Sequence, residues 1–134
     1  MDNNNWIYFG VFLDNDSKNY LLSMTKKNVN DDWKLFCHHM TIAFNNGSDK
    51  SLSLYKMYEE YFGANTEIVA THIGYSDDAI ALKIDYKGPI QNATPHITLA
   101  TQPNGKPVNS NYITNWKPLT EPITLYGKFD VFKK

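Results

Sequence analysis

His39-Met40-Thr41-Ile42-Ala43 and His96-Ile97-Thr98-Leu99-Ala100 are two copies of one pattern, H-M-T-I-A and H-I-T-L-A. Both stand in apolar runs of the kind that form buried strands. Alternate side chains of a strand share a face. His39, Thr41 and Ala43 therefore point one way, and Met40, Ile42 and Phe44 the other. The second copy repeats this, with His96, Thr98 and Ala100 opposed to Ile97 and Leu99. The bulky face suits a core. The other face offers an imidazole, a hydroxyl and then a methyl group, which leaves open space beside each pair. Two such strands would line a groove with two imidazoles and two hydroxyls turned toward a ligand. A single His-x-Thr carries little information, but agreement in type at five positions in similar surroundings favours a functional site over two structural histidines.

Around this pair, the composition indicates one packed globule. The chain has 134 residues, 42% hydrophobic and 14% aromatic, enough to bury a core in a single domain over residues 1–134. No apolar run reaches the length of a membrane span, and Met1-Asp2-Asn3-Asn4-Asn5 lacks the basic and apolar regions of a signal peptide. The expected location is the cytoplasm, that of the host cell if the protein is viral. A single cysteine, Cys37, excludes an internal disulfide and fits a reducing compartment. It is close enough to His39 in sequence to raise a nucleophile, but a buried structural cysteine is the reading adopted.

The net charge is −1 and all 13 basic residues are lysine. No basic stripe is present for duplex nucleic acid. Without arginine there is no guanidinium fork, so any phosphate must be held by His, Thr, Lys and backbone N–H groups. No H-E-x-x-H and no carboxylate cluster accompanies either motif, so the residues themselves give no positive sign of a metal or a cofactor.

Trp6 to Leu13 alternates as a central strand, with Ile7, Phe9, Val11 and Leu13 on one face and Trp6, Tyr8, Gly10 and Phe12 on the other. Gly10 leaves room beside Tyr8, which makes Tyr8 a candidate stacking platform at the groove wall, or else ordinary packing. Asp14 to Asp32 is polar and irregular, with a short apolar run at Tyr20 to Met24 that fits a strand or one helical turn. Lys34 to Phe44 reads as the first motif strand, which places His38 opposite His39 in a structural role. Ser48 caps a helix carrying Leu52, Tyr55, Tyr58 and Phe62, and Gly63 stops it. Thr66 to Gly74 and Ala79 to Tyr86 form a hairpin through Tyr75-Ser76-Asp77-Asp78, with His72 a structural residue. Lys87 to Pro95 is a loop, Gln102 to Pro107 a turn. Asn109-Ser110-Asn111 caps a short helix reaching Trp116, and Pro122 to Phe132 is a closing strand. The expected fold is α+β: two β-rich lobes about a pseudo-twofold, mainly antiparallel sheets lining a central groove, helices outside.

Two H-x-T strands in a small two-lobed α+β domain resemble the 2H phosphoesterase superfamily, named for its paired histidines. The resemblance covers essentially the whole chain. The run G-P-I-Q-N-A-T-P-H-I-T-L-A-T with the downstream G-K-P-V-N-S-N looks most like two branches. One comprises phage and viral enzymes that cleave cyclic oligonucleotide messengers of bacterial CBASS-type antiviral signalling. The other is the cyclic phosphodiesterase domain of fungal-type tRNA ligases, which normally belongs to a much larger chain. A short chain standing alone favours the first. The resemblance implies a metal-independent phosphodiesterase, with His39 and His96 as acid and base in an unassigned order and Thr41 and Thr98 on the phosphate oxygens. Its substrate would be a cyclic di- or trinucleotide, or, in the second branch, a 2′,3′-cyclic phosphate at an RNA end. A silent nucleotide-sequestering binder and a metal site on His39 and His96 are the competing classes. Substrate bases, ring size and oligomeric state stay open.

Overall fold

Strand β1 (Trp6–Leu13) is the centre of the computed structural model, which describes residues 5–133; Met1 to Asn4 of the N-terminal run considered above as a signal peptide lie outside them. It pairs with β3 (His39–Phe44) on one side and β7 (Asn115–Lys133) on the other. Beyond β7 come β4 (Asn65–Tyr75) and β5 (Ala79–Ile84), and beyond β3 come β6 (His96–Thr101) and the two-residue β2 (Lys34–Leu35). All these pairings are antiparallel, and β5 also pairs with β6. The sheet therefore closes on itself as a six-stranded ring, β6-β3-β1-β7-β4-β5. Helices α1 (Asn15–Lys26) and α2 (Asp49–Tyr58) complete the α+β architecture. Among the described residues no helix is long and apolar enough to cross a membrane.

The core is one contiguous cluster in which Phe9, Val11, Met40, Ile42, Ile97 and Leu99 from the ring meet Leu54, Tyr55 and Tyr58 of α2 and Leu21 of α1. The alternation read in β1 is broken at two places. A register shift against β7 between Trp6 and Tyr8 turns Trp6 into the core, where it stacks on Tyr55 at 4.8 Å. A second shift, against β3 between Phe9 and Gly10, brings the strands very close. A Cβ on Gly10 would lie 2.0 Å from the Met40 carbonyl oxygen, so the glycine is required by backbone approach more than by space for Tyr8.

Three other expectations are corrected. The polar stretch after Asp14 is the 12-residue helix α1, capped by the Asp14 carboxylate, which accepts from Ser17 N at 2.8 Å. Its buried stripe is Ser17, Leu21 and Thr25: helical spacing, but with only one large apolar residue. The run from Lys34 to Phe44 is two strands, because Cys37 takes φ +61° and turns the chain. Before the turn, Phe36 and Cys37 donate to the carbonyls of Leu99 and Thr98 on β6; after it, β3 runs along β1. Finally, the segment from Asn109 to Trp116 is not a helix throughout. A 3₁₀ helix occupies Pro107–Tyr112, and Trp116 belongs to β7, which starts at Asn115 and is far longer than the closing strand expected.

The Ser48 cap and the β4–β5 hairpin form as read. Helix α2, however, ends at Tyr58 and a 3₁₀ turn over Glu59–Tyr61 follows, so Phe62 lies outside the helix and Gly63 (φ +94°) comes after its end rather than stopping it. Cys37 is fully buried, its thiol directed at Leu99 O and Thr25 Oγ1, and burial pushes that thiol up. It is a packing residue, not a nucleophile.

Candidate active site

Strands β3 and β6 touch at a single bridge, Met40 against Ile97, both fully buried. In an antiparallel pair the neighbours of a bridged pair face each other on the opposite side of the sheet. His39 thus stands across from Thr98, and Thr41 across from His96. All four line one cavity of about 510 Å³. The strand phase read from the sequence holds for the His and Thr of both motifs but not beyond them. Ala43 and Ala100, expected on the open face, are fully buried, and Phe44, expected on the core face, lines the cavity. The reason is that register shifts fall between Thr41 and Ala43 and between Thr98 and Ala100.

Away from the bridge the two strands part, and the gap is closed by the loop between β5 and β6 and by the 3₁₀ helix. Gln91 takes over the free edge of β3: its N–H donates to Ile42 O at 2.9 Å, and its amide exchanges hydrogen bonds with the Phe44 backbone. Asn92 donates to Asn111 Oδ1 at 2.7 Å, joining the loop to the 3₁₀ helix across the rim. Phe36, Phe44 and Val108 supply apolar wall. Among the described residues lining the cavity there is no Asp, Glu or Lys, and among the described residues no group of three or more His, Cys, Asp or Glu is placed to hold a metal ion.

His39 lies deep and is held on every side. Tyr8 stacks on it at 4.8 Å between ring centroids, Phe12 at 5.4 Å and His38 at 4.5 Å. Its Nε2 is 3.0 Å from Thr41 Oγ1, and its Nδ1 is hydrogen-bonded to Nδ1 of His38. Burial above all, and then the neighbouring imidazoles of His38 and His96, lower its pKa from 6.5 to about 3. The ring is neutral at ordinary pH.

His96 is held differently. Its Nδ1 lies 2.8 Å from the Thr94 carbonyl, which can only accept, so Nδ1 carries the proton and Nε2 is left for the cavity. Burial lowers its pKa, while the bond to Thr94 O works in the other direction by stabilising the imidazolium. The two histidines are thus unequal, one enclosed by rings and the other steadied by a carbonyl.

The two threonines differ as well. Thr41 faces its own histidine. Thr98 Oγ1 is 2.9 Å from the hydroxyl of Ser110, a nearly fully buried residue of the 3₁₀ helix, and 3.4 Å from Pro107 O. If Ser110 donates, the Thr98 proton is left with a long contact that an incoming phosphate oxygen can replace. Tyr8 is on the cavity wall as expected, with His39 as its stacking partner.

His38 is the correction at this site. Strict alternation put it opposite His39. The turn at Cys37 breaks the alternation, and both rings line the same cavity. Burial and the charge of Lys18 on α1 lower its pKa. The amides Gln91, Asn92 and Asn111 were not singled out from the sequence, since loop asparagines and glutamines carry no periodic signal. His72 bonds to Thr71 Oγ1 at 2.8 Å on β4 and does not line the cavity. No known family model matches the chain, and no curated protein matches its sequence.

Proposed function

We propose that the protein is a phosphodiesterase that needs no metal and cleaves cyclic oligonucleotides by histidine acid–base catalysis, so countering CBASS-type antiviral signalling. The observation that carries the reading is the placing of both His-x-Thr motifs, from two neighbouring antiparallel strands, on one face of one cavity. Acid–base cleavage at phosphorus needs a proton acceptor and a proton donor on opposite sides of the phosphate. The halves of the ring that carry them, β1 with β3 and β5 with β6, would be the two lobes of a 2H-type fold.

In this reading His39, kept neutral by its enclosure, is the base of the first step. It takes the proton of the ribose 2′-OH, whose oxygen attacks phosphorus. The bond to the 5′ oxygen breaks, and the imidazolium of His96 passes its Nε2 proton to that oxygen. The negative charge of the bound phosphodiester favours the charged form of His96, whose Nδ1–H is already fixed on Thr94 O. Thr41 and Thr98 donate to the non-bridging oxygens. The product ends in a 2′,3′-cyclic phosphate, which water opens with the two histidines in exchanged roles.

The test is incubation with cyclic di- and trinucleotides and 2′,3′-cyclic mononucleotides in EDTA, read by mass. Opened rings ending in a cyclic or opened phosphate are expected. Intact rings beside hydrolysed 2′,3′-cyclic phosphates would move the protein to RNA-end processing, and inertness restored by a divalent metal would point to a metal site. Retention of every nucleotide without turnover would leave a sequestering binder.

A further inference from the structure

The rim amides have a fixed sense that bears on what the cavity reads. A backbone N–H can only donate, so the atom of Gln91 facing Phe44 N at 3.0 Å is its oxygen, and the atom of Asn92 facing Thr94 N at 2.9 Å is likewise its oxygen. The Asn92 nitrogen must then be the atom that meets Asn111, at 2.7 Å, which makes the Asn111 atom an oxygen too. Each of these three amide oxygens thereby already accepts one hydrogen bond within the protein. Among the described residues, one N–H of Asn92 and both of Asn111 have no protein partner, on two nitrogens of adjoining amides. Phe44, half of its surface exposed although apolar, lines the same cavity and is tied through its backbone to Gln91, the neighbour of Asn92.

We infer that Asn92 and Asn111 form a base-reading subsite that selects a nucleobase presenting two adjacent hydrogen-bond acceptors, guanine through O6 and N7, with Phe44 as its stacking wall. The inference rests on the nucleotide-cleaving reading of the same cavity. Two adjoining donors meet two acceptors on the guanine edge, whereas adenine puts its N6 amino donor against them. A donor facing a donor leaves both unsatisfied, which is the stronger source of discrimination. Uracil, with O4 alone, should rank between guanine and the amino bases. The same donors would also suit a phosphate oxygen, but neutral amides beside a half-exposed aromatic ring fit a flat, uncharged base better, and the phosphate belongs between the histidines.

The experiment is calorimetric titration of the whole chain with 5′-GMP, 5′-UMP, 5′-AMP and ribose 5-phosphate, none of which is a diester that turnover would consume. GMP should bind about tenfold or more tighter than AMP, the order expected for a paired base contact, and ribose 5-phosphate should bind weakest. Asn111→Asp keeps the size and the acceptor for Asn92 but replaces the two free donors with an acceptor. Asn111 is on the surface, so the fold should persist, and uniform electrostatic weakening cancels in the ratio of the two affinities. That ratio should fall to about one or invert. AMP binding as well as GMP, ribose 5-phosphate matching GMP, or a ratio unmoved by Asn111→Asp would each overturn the subsite. A GMP preference in a protein that cleaves no diester would leave the subsite standing and remove the phosphodiesterase reading. Cleavage of cyclic di-AMP as fast as cyclic di-GMP would do the reverse.

Discussion

The unequal settings of His39, His38 and His96 lead to the sharpest expectations for single residues. As base, His39 must be neutral, which its pKa of about 3 allows throughout ordinary pH. As acid, His96 must be charged, and burial holds its pKa below 6.5 in the free protein. The profile of kcat/KM, which reports free-protein values, should therefore peak on the acid side of pH 6.5 and fall as pH rises. A plateau extending above that value would contradict the assignment of His96 as acid. His38 acts through His39 and is a positioning residue. His38→Phe keeps the stacked ring but removes the Nδ1 partner, so kcat should drop about tenfold with little change in KM, the effect of one lost hydrogen bond of about 1.4 kcal/mol. It also removes a neighbouring positive charge, so the acid limb of the profile should move up. His38→Asn, which restores an acceptor near that position, should recover much of the rate; equal loss in both variants would reduce His38 to packing. Alternation in the sequence identifies His39 and His96 and their threonines. It misplaces His38, because one residue in left-handed conformation at Cys37 is invisible to a period-two pattern.

Among the elements, the β1–β3 junction and α1 show how local chemistry overrides pattern. Gly10→Ala would drive a methyl group into the Met40 carbonyl in the strand that carries His39. A loss of about 1–3 kcal/mol or more is expected in denaturant unfolding, together with reduced activity. Asp14→Ala, which removes the α1 cap but no residue of the cavity lining, should lower stability by about 1 kcal/mol and leave the rate alone. Equal effects of the two on rate would mean that Gly10 does not set the position of β3. Helix α1 was not legible because two of its three buried positions are Ser17 and Thr25. Ser17 Oγ accepts from Tyr126 N on β7, and Thr25 Oγ1 donates back to Leu21 O. Small hydroxyls that satisfy backbone groups can face a neighbour without appearing in an apolar count. The β4–β5 hairpin and the Ser48 cap were legible because turn and cap residues act over three or four positions. The full length of β7 was not, because its pairing to β4 on both sides of Pro122 is fixed by residues far away in the chain.

For the whole molecule, the enclosure that lowers three histidine pKa values ties folding to pH. A folded value below the unfolded one means that the unfolded chain binds more protons at low pH. The corresponding stability is present above about pH 6.5 and is lost as pH falls toward about 3. From about pH 7 to about pH 4, His39 alone should account for a loss on the order of 2–4 kcal/mol. His39→Gln should reduce that acid loss in thermal unfolding, and an unchanged pH dependence would show that the ring is not held neutral by the fold. Closure of the ring through β5 and β6 was not readable from periodicity, which locates strands but not their long-range partners. The measurement that bears most directly on the paired histidines is the cleavage rate of His39→Ala, His96→Ala and the double variant on a cyclic dinucleotide in EDTA. Each single change should reduce kcat about 10²-fold or more, and the double should be little worse than either, as for groups that act as a unit. A near-wild-type rate in either single variant, or losses that simply multiply in the double, would contradict an acid–base pair formed by His39 and His96.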